Sequence, residues 1–310
     1  MTIRVLHIFA PSLKTRFGGQ YITWKYNFNN WDDPSIEHIV LDTDRNQLVP
    51  AIRSFDFEYP PEQQASSRWV RFTWIFKLLW NLTQHRGRYD LIHFHVLWWG
   101  SLLAARWAKA HHIPCIYESV LLDADTPGHI RQERFGKLKV RLLKKFTNIL
   151  VISDFLAKDF HQHGFPNQQI FNLMNSVDTT LFHPVATLKD KAALRARHGL
   201  PQNAFILLFV GSVIKRKGVD LLIHAFILAA HHHPDLQLLI IGPCSPDQNP
   251  SLDENFIQGL HKLVASSGFL DKINFLGIVK DRQILAELYL AADGFVFPSR
   301  REGLGNVVLE

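Results

Sequence analysis

The 310-residue chain has little of what staples small or metal-rooted folds. It holds only two cysteines, Cys115 and Cys244, too few for a disulfide framework or a Cys-rich zinc site. Long apolar runs are missing. The longest unbroken one, residues 204–210, and the run 236–241, interrupted by Gln237, fall far short of the roughly 20 residues that cross a bilayer. Residues 3–9 enter a strand-like pattern directly, without the charged start, apolar stretch and small-residue cleavage site of a secretory signal. No GxGxxG fingerprint follows a strand-like segment, which argues against a nicotinamide enzyme, and there is no Walker A loop. Tandem repeats and low-complexity tracts are also lacking. These absences lead to the expectation of a cytoplasmic globular protein.

What is present is a hydrophobic share of 47% against 20% charged residues, a composition able to bury a sizeable core. Residues 1–184 carry 21 Lys/Arg against 16 Asp/Glu, whereas residues 185–310 carry 13 against 12. All eight Trp lie before residue 108. A basic, Trp-rich first half and a nearly neutral second half predict two domains, 1–184 and 185–310.

Short Ile/Val/Leu/Phe runs alternate with longer segments of helical period throughout. Strands are expected at 3–9, 36–41, 91–95, 115–118, 148–152, 205–210, 236–241, 273–276 and 294–297. Helices are expected at 69–84, 101–111, 131–146, 154–163, 189–198, 219–231, 255–266 and 282–291. This alternation predicts α/β architecture: two Rossmann-like, doubly wound parallel sheets, with ligands beyond the carboxyl ends of the strands.

Three segments could carry chemistry. Gly18-Gly19 lies between the first strand and a helical stretch, where bare backbone can approach a phosphate. The run from Gly211 to Gly218 puts Lys215, Arg216 and Lys217 at a strand-to-helix turn, a charge arrangement suited to a diphosphate. Glu302-Gly303-Leu304-Gly305-Asn306 leads to Glu310, and a carboxylate can accept from two sugar hydroxyls at once. Spacing alone is weak evidence. With nine Glu in the chain, about 0.3 pairs at that separation arise by chance.

The order of the pieces is more specific. Gly18-Gly19, Asn175-Ser176-Val177-Asp178, Lys215 to Leu222, Phe275-Leu276-Gly277, and Ala292-Asp293 through Pro298-Ser299 to Glu302 and Glu310 resemble family 4 of the glycosyltransferases, which have the GT-B fold. The resemblance implies retaining transfer of a hexose from a nucleoside-diphosphate sugar to a hydroxyl of a glycan or lipid-linked acceptor. It implies Lys217 and Glu302 as catalytic residues. Gly18, Gly19, Lys215, Arg216, Ile278, Gly303, Leu304, Gly305, Asn306 and Glu310 would bind the donor. It implies no metal and no cofactor. The family continues past the second Glu, so the resemblance also implies a truncated chain with an incomplete second domain. Ser212 stands where the family often has Arg, and no His follows Ile113-Pro114, so Glu118 or Asp123 is expected to shape the acceptor site. These departures keep a non-catalytic sugar-nucleotide or glycan-binding module as the alternative.

Other features have blander readings. Asp123-Ala124-Asp125 has the spacing of a metal-binding DxD, but an Asp-rich loop explains it better. His93 and His95 share one side of a strand, but no Cys or third metal ligand is evident, and a strand end facing the cleft or satisfied core histidines explain them better. Trp69, Phe72, Phe76, Leu79 and Trp80 form one helical face, read as packed on the sheet in preference to lying on a membrane. Residues 131–145 hold seven Lys/Arg and one Glu, a solvated face or a contact for anionic lipid. No nucleic-acid module accompanies the charge, and no nucleic-acid partner is expected.

Overall fold

A computed structural model describes residues 2–9, 33–41, 53–55, 68–122, 124–249 and 252–310. The chain divides into two compact units, Met1–Met174 and Asn175–Glu310. The division falls ahead of the expected 184/185 boundary. The intervening stretch belongs with the second unit through Asn175, which donates to the Asn306 side chain at 2.7 Å, and through Phe182, whose ring meets that of Tyr289 edge-on.

The first unit holds β1 (Ile3–Ile8), β2 (Ile36–Leu41), β3 (Arg53–Phe55), β4 (Leu91–Phe94), β5 (Cys115–Ser119), β6 (Asn148–Val151) and β7 (Ile170–Asn172). They form one parallel sheet in the order β3-β2-β1-β4-β5-β6-β7. Its described helices are α1 (Arg68–Gln84), α2 (Trp99–Ala110), α3 (Pro127–Ile130), α4 (Gly136–Leu143) and α5 (Asp154–Gln162). Two expectations fail here. The single helix expected over 131–146 is broken, because Phe135 adopts a left-handed φ of 62°. A Cβ on Gly136 would sit 2.3 Å from the Ile130 carbonyl, so glycine is required at that bend. On α1 it is Trp74, Leu78 and Leu82 that are buried, whereas Phe72, Phe76 and Trp80 of the expected face are not. Phe72, Phe76 and Trp80 are 66%, 66% and 59% exposed.

The second unit follows its sequence pattern closely. Strands β8 (Phe205–Val210), β9 (Leu236–Ile241), β10 (Ile273–Gly277) and β11 (Gly294–Phe295) form a parallel sheet ordered β10-β9-β8-β11. Helices α6 (Leu188–Arg197), α7 (Val219–Ala230), α8 (Glu254–Ser266), α9 (Arg282–Ala291) and α10 (Asn306–Leu309) accompany it. Both faces of the sheet are covered. Phe209, Leu238 and Ile240 pack with Val219, Ile223 and Phe226 of α7 and Ile257 and Leu260 of α8. Ile206, Leu208 and Val210 face the other way, onto Leu288, Leu285 and Tyr289 of α9. Strands buried on both sides read as continuous apolar runs, which is why they were visible in the sequence.

One buried cation ties α6 to this sheet. Arg195, 6% exposed, donates to the carbonyls of Ala291, Gln202 and Ala204, each at 3.0 Å, and pairs with Asp293. Asp293 also accepts from the Ile206 amide at 2.7 Å and from Lys191 at 2.6 Å. Arg195→Ala leaves three carbonyls and a carboxylate short of donors and is expected to destabilise the second unit by about 3 kcal/mol. Urea denaturation of the parent and variant checks this.

Candidate active site

The strand order of the second unit reverses at β8. The chain runs outward through β9 and β10, then returns to place β11 on the other side of β8. Loops leaving the carboxyl ends of β8 and β11 therefore head toward opposite faces of the sheet, and in such sheets ligands bind in the crevice at that point. The cationic loop follows β8 and the Glu302 loop follows β11.

The two loops meet at one carboxylate. Lys217 Nζ lies 2.6 Å and Arg216 Nη1 2.9 Å from Glu302 Oε1, and Ser299 Oγ donates to the same oxygen at 2.6 Å. Burial pushes the Glu302 carboxyl up, but the Lys217 and Ser299 hydrogen bonds and the Lys217 and Arg216 charges outweigh it and leave the group below its ordinary value. Lys217 also lies over the Phe297 ring, 5.4 Å from its centroid. Phe297 in turn fixes Gly305, where a Cβ would fall 2.5 Å from the ring.

Glycine lets the backbones come this close. Residues 215–217 form one 3-10 turn, which Gly218 ends at φ 73° before α7 begins. A Cβ on Gly218 would be 2.1 Å from the Pro298 carbonyl oxygen. Gly242, after β9, has φ 135° and faces the Gly211 carbonyl, which a Cβ would approach to 2.2 Å.

Arg300, to which the sequence reading gave no role, ties the two loops together. Its amide donates to the Arg216 carbonyl at 2.8 Å, and its guanidinium grips both Asp220 oxygens at 2.8 Å and reaches the Lys215 carbonyl. Its partners lie 80 or more residues away, so no local signal marks it.

The other expected residues are placed as follows. Lys215 contributes its carbonyl to the loop, and its side chain is exposed. Ile278 directly follows β10, 38% exposed, after Gly277 turns with φ 70° against Gln248. Gly303, Leu304 and Gly305 connect Glu302 to the four-residue α10, where Asn306 accepts from Asn175. Glu310 stands apart from Glu302, with Arg282 at 3.3 Å and the Tyr289 hydroxyl at 3.4 Å. Burial raises its carboxyl, and the Arg282 charge and Tyr289 only partly offset that. Gly18, Gly19 and Asp123 lie outside the described residues. Asp125 serves its own loop, accepting from Ser119 Oγ at 3.1 Å and from the Val120 and Leu121 amides at 3.0 and 3.1 Å. Glu118 accepts from the His95 ring at 2.8 Å.

The lowered Glu302 carboxyl has a signed consequence. Its pairing contributes stability that is complete at neutral pH and is lost as pH falls through the depressed folded-state pKa. The stability advantage of the parent over Glu302→Gln is expected to shrink from about pH 5 downward, as read by thermal melts across pH.

A family pattern described as "Glycosyl transferases group 1" matches residues 190–310, and one described as "Glycosyl transferase 4-like domain" matches residues 38–175. D-inositol 3-phosphate glycosyltransferase of Streptomyces scabiei is 31% identical over 279 residues, 85% of this chain and 59% of that protein. The protein of the same name from Thermobispora bispora is 30% identical over 244 residues, 72% of this chain and 52% of its own. The chain thus spans between half and three fifths of these curated relatives. The crystal structure of Anabaena Alr3699/HepE in complex with UDP and glucose superposes with a TM-score of 0.70 at 19% identity, over 99% of this chain and 77% of that one. With one pattern on each parallel-sheet unit, in the order the sequence implied, the chain belongs to the family 4 type of glycosyltransferases with the GT-B fold.

Proposed function

We propose that the chain carries the donor machinery of a retaining glycosyltransferase. It moves a hexose from a nucleoside-diphosphate sugar to a hydroxyl of a glycan or lipid-linked acceptor. The observation that carries this is the meeting of Lys217 and Glu302 at 2.6 Å where the strand order reverses. An ammonium has three donors. One goes to Glu302, and the others are assigned to a departing diphosphate. Charge grows on that leaving group as the glycosidic bond breaks, so a fixed Lys217, with Arg216 and Lys215 nearby, acts most strongly at the transition state. Glu302, held ionised, is the acceptor for sugar hydroxyls, aided by the amides from Gly303 to Asn306. Glu310 takes the ribose, and the backbone after Gly277, at Ile278, lines the base. Gly18 and Gly19 are assigned the remaining phosphate contacts. The cationic loop supplies the positive charge that a metal would otherwise bring to the diphosphate, so the transfer itself is proposed to need no metal or cofactor. The bound UDP and glucose in the Anabaena structure support a nucleotide-sugar donor.

Lys217→Ala and Glu302→Ala should each lower turnover of the cognate nucleotide sugar by about 10²–10³-fold, read as released nucleoside diphosphate. Unchanged turnover in both variants overturns the assignment. Donor binding without any sugar release, in the parent itself, favours the binding-module alternative.

The acceptor side is proposed to work at an anionic membrane surface. No helix among the described residues is long and apolar enough to cross a membrane. Support for a peripheral contact comes from the exposed row Phe72, Phe76 and Trp80 on α1. A hollow of about 530 Å³ beside Leu79 brings in Arg106, Lys109 and Lys145. Apolar rings beside cations suit an interfacial helix. Co-sedimentation with vesicles rich in anionic lipid is expected for the parent and is expected to be lost at high salt and in the Phe72→Ser/Phe76→Ser/Trp80→Ser variant. No sedimentation of the parent at low salt removes this element.

A further inference from the structure

One face of the first sheet carries imidazoles from neighbouring strands. His38 lies in β2, His7 in β1, His93 in β4 and His95 directly after it, and Glu118 in β5. Register sets His7 opposite His93, and His93 opposite Ile116, so the two-residue period brings His95 and Glu118 to the same side. The rings touch. His7 Nδ1 is 3.0 Å from His95 Nε2, and His7 Nε2 is 3.1 Å from His38 Nδ1. His95 Nδ1 is 2.8 Å from Glu118 Oε2. His7 and His95 are only 4% and 5% exposed.

This arrangement is costly as a plain core. Nε2 of His93 is shut off from water and makes no hydrogen bond, with the Glu118 carboxylate 3.9 Å away. A buried polar atom left unsatisfied costs about 1–3 kcal/mol. Imidazole nitrogens that converge on one point are what a transition metal binds.

The distances suit such an ion. One ring nitrogen from each of His7, His93 and His95 lies within 4.8 Å of the others. Nitrogens about 2.0–2.1 Å from a tetrahedral zinc ion stand a little over 3 Å apart, so the three rings would close on the ion as it binds. The outer contacts fit too. A ligating His almost always gives its far nitrogen to a carboxylate or another acceptor. Glu118 holds His95 in that way, and His38 holds the far nitrogen of His7. The sequence hid this site because its third ligand, His7, lies 88 residues from His95.

We propose that His7, His93 and His95 form a binding site for a divalent transition-metal ion of the zinc class, oriented by Glu118 and His38. Three imidazoles leave a fourth position for water or another oxygen ligand, at the carboxyl end of β1 and β4, where the strand order of the first sheet reverses. The site is in the first unit, so it makes no demand on Lys217 or Glu302.

The test uses the whole chain, stripped with chelator and titrated with Co²⁺ and then Zn²⁺. The expected result is one ion per chain, the visible absorption of tetrahedral Co²⁺ with nitrogen ligands, and a higher melting temperature with Zn²⁺. His7→Ala and His93→Gln should each abolish the absorption and the thermal shift. Glu118→Gln should keep the site and weaken it about 10–100-fold. If His7→Ala does not fold, His93→Gln, at a ring still 15% exposed, decides the matter. Absence of a stoichiometric ion in the parent overturns the proposal. So does undiminished binding in His93→Gln, which would move the ion to another histidine group such as His231–His233.

Discussion

The oxygen Oε1 of Glu302 receives Lys217, Arg216 and Ser299 together, and the crevice of the second unit depends on that convergence. Beyond Leu208 and Phe295 the β8–β11 ladder ends, and nothing in parallel-strand pairing obliges the two outgoing loops to stay together. Side chains do it instead. Glu302 collects the cationic loop, and Arg300 binds back to Arg216, Lys215 and Asp220. Exposed ion pairs contribute little, but this one is half-buried, shared by three donors and backed by the Phe297 ring. Glycine at 218 and 305 is the condition for it, since any side chain there would collide with Pro298 or Phe297.

The two loops together carry a net positive charge. Between residues 215 and 220 and between 299 and 302 there are five cations and two carboxylates. A site with an excess of fixed positive charge beside one ionised carboxylate is prepared for an anion that also carries hydroxyls. The proposed donor, a nucleoside-diphosphate sugar, has both features.

Much of this was legible in the residues, for identifiable reasons. The second unit's strands are buried on both faces, so Phe205–Val210 and Leu236–Ile241 stand out as apolar runs. The Lys217 segment follows such a strand, and the Glu302 segment follows the shorter apolar run 294–297. What escaped depends on distance or on a single torsion. Arg300 finds Asp220 and His7 finds His95 only after folding, across 80 and 88 residues. The helix break at Phe135 rests on one left-handed residue beside a glycine that the helical period outvoted. On α1 the aromatic residues are so dense that periodicity alone chose the wrong face, because Trp74, Leu78 and Leu82 form an equally good stripe. The three-residue strands β3 and β7 are too short to carry a pattern.

The most direct test of the central claim is a crystal structure of the protein with a bound nucleoside diphosphate. The account predicts diphosphate oxygens about 3 Å from Lys217 Nζ, in the crevice where β8 and β11 diverge, with the carboxylate of Glu302 turned toward the place of the sugar. A nucleotide bound elsewhere on the second unit, with the Lys217–Glu302 contact undisturbed and the crevice empty, would contradict it.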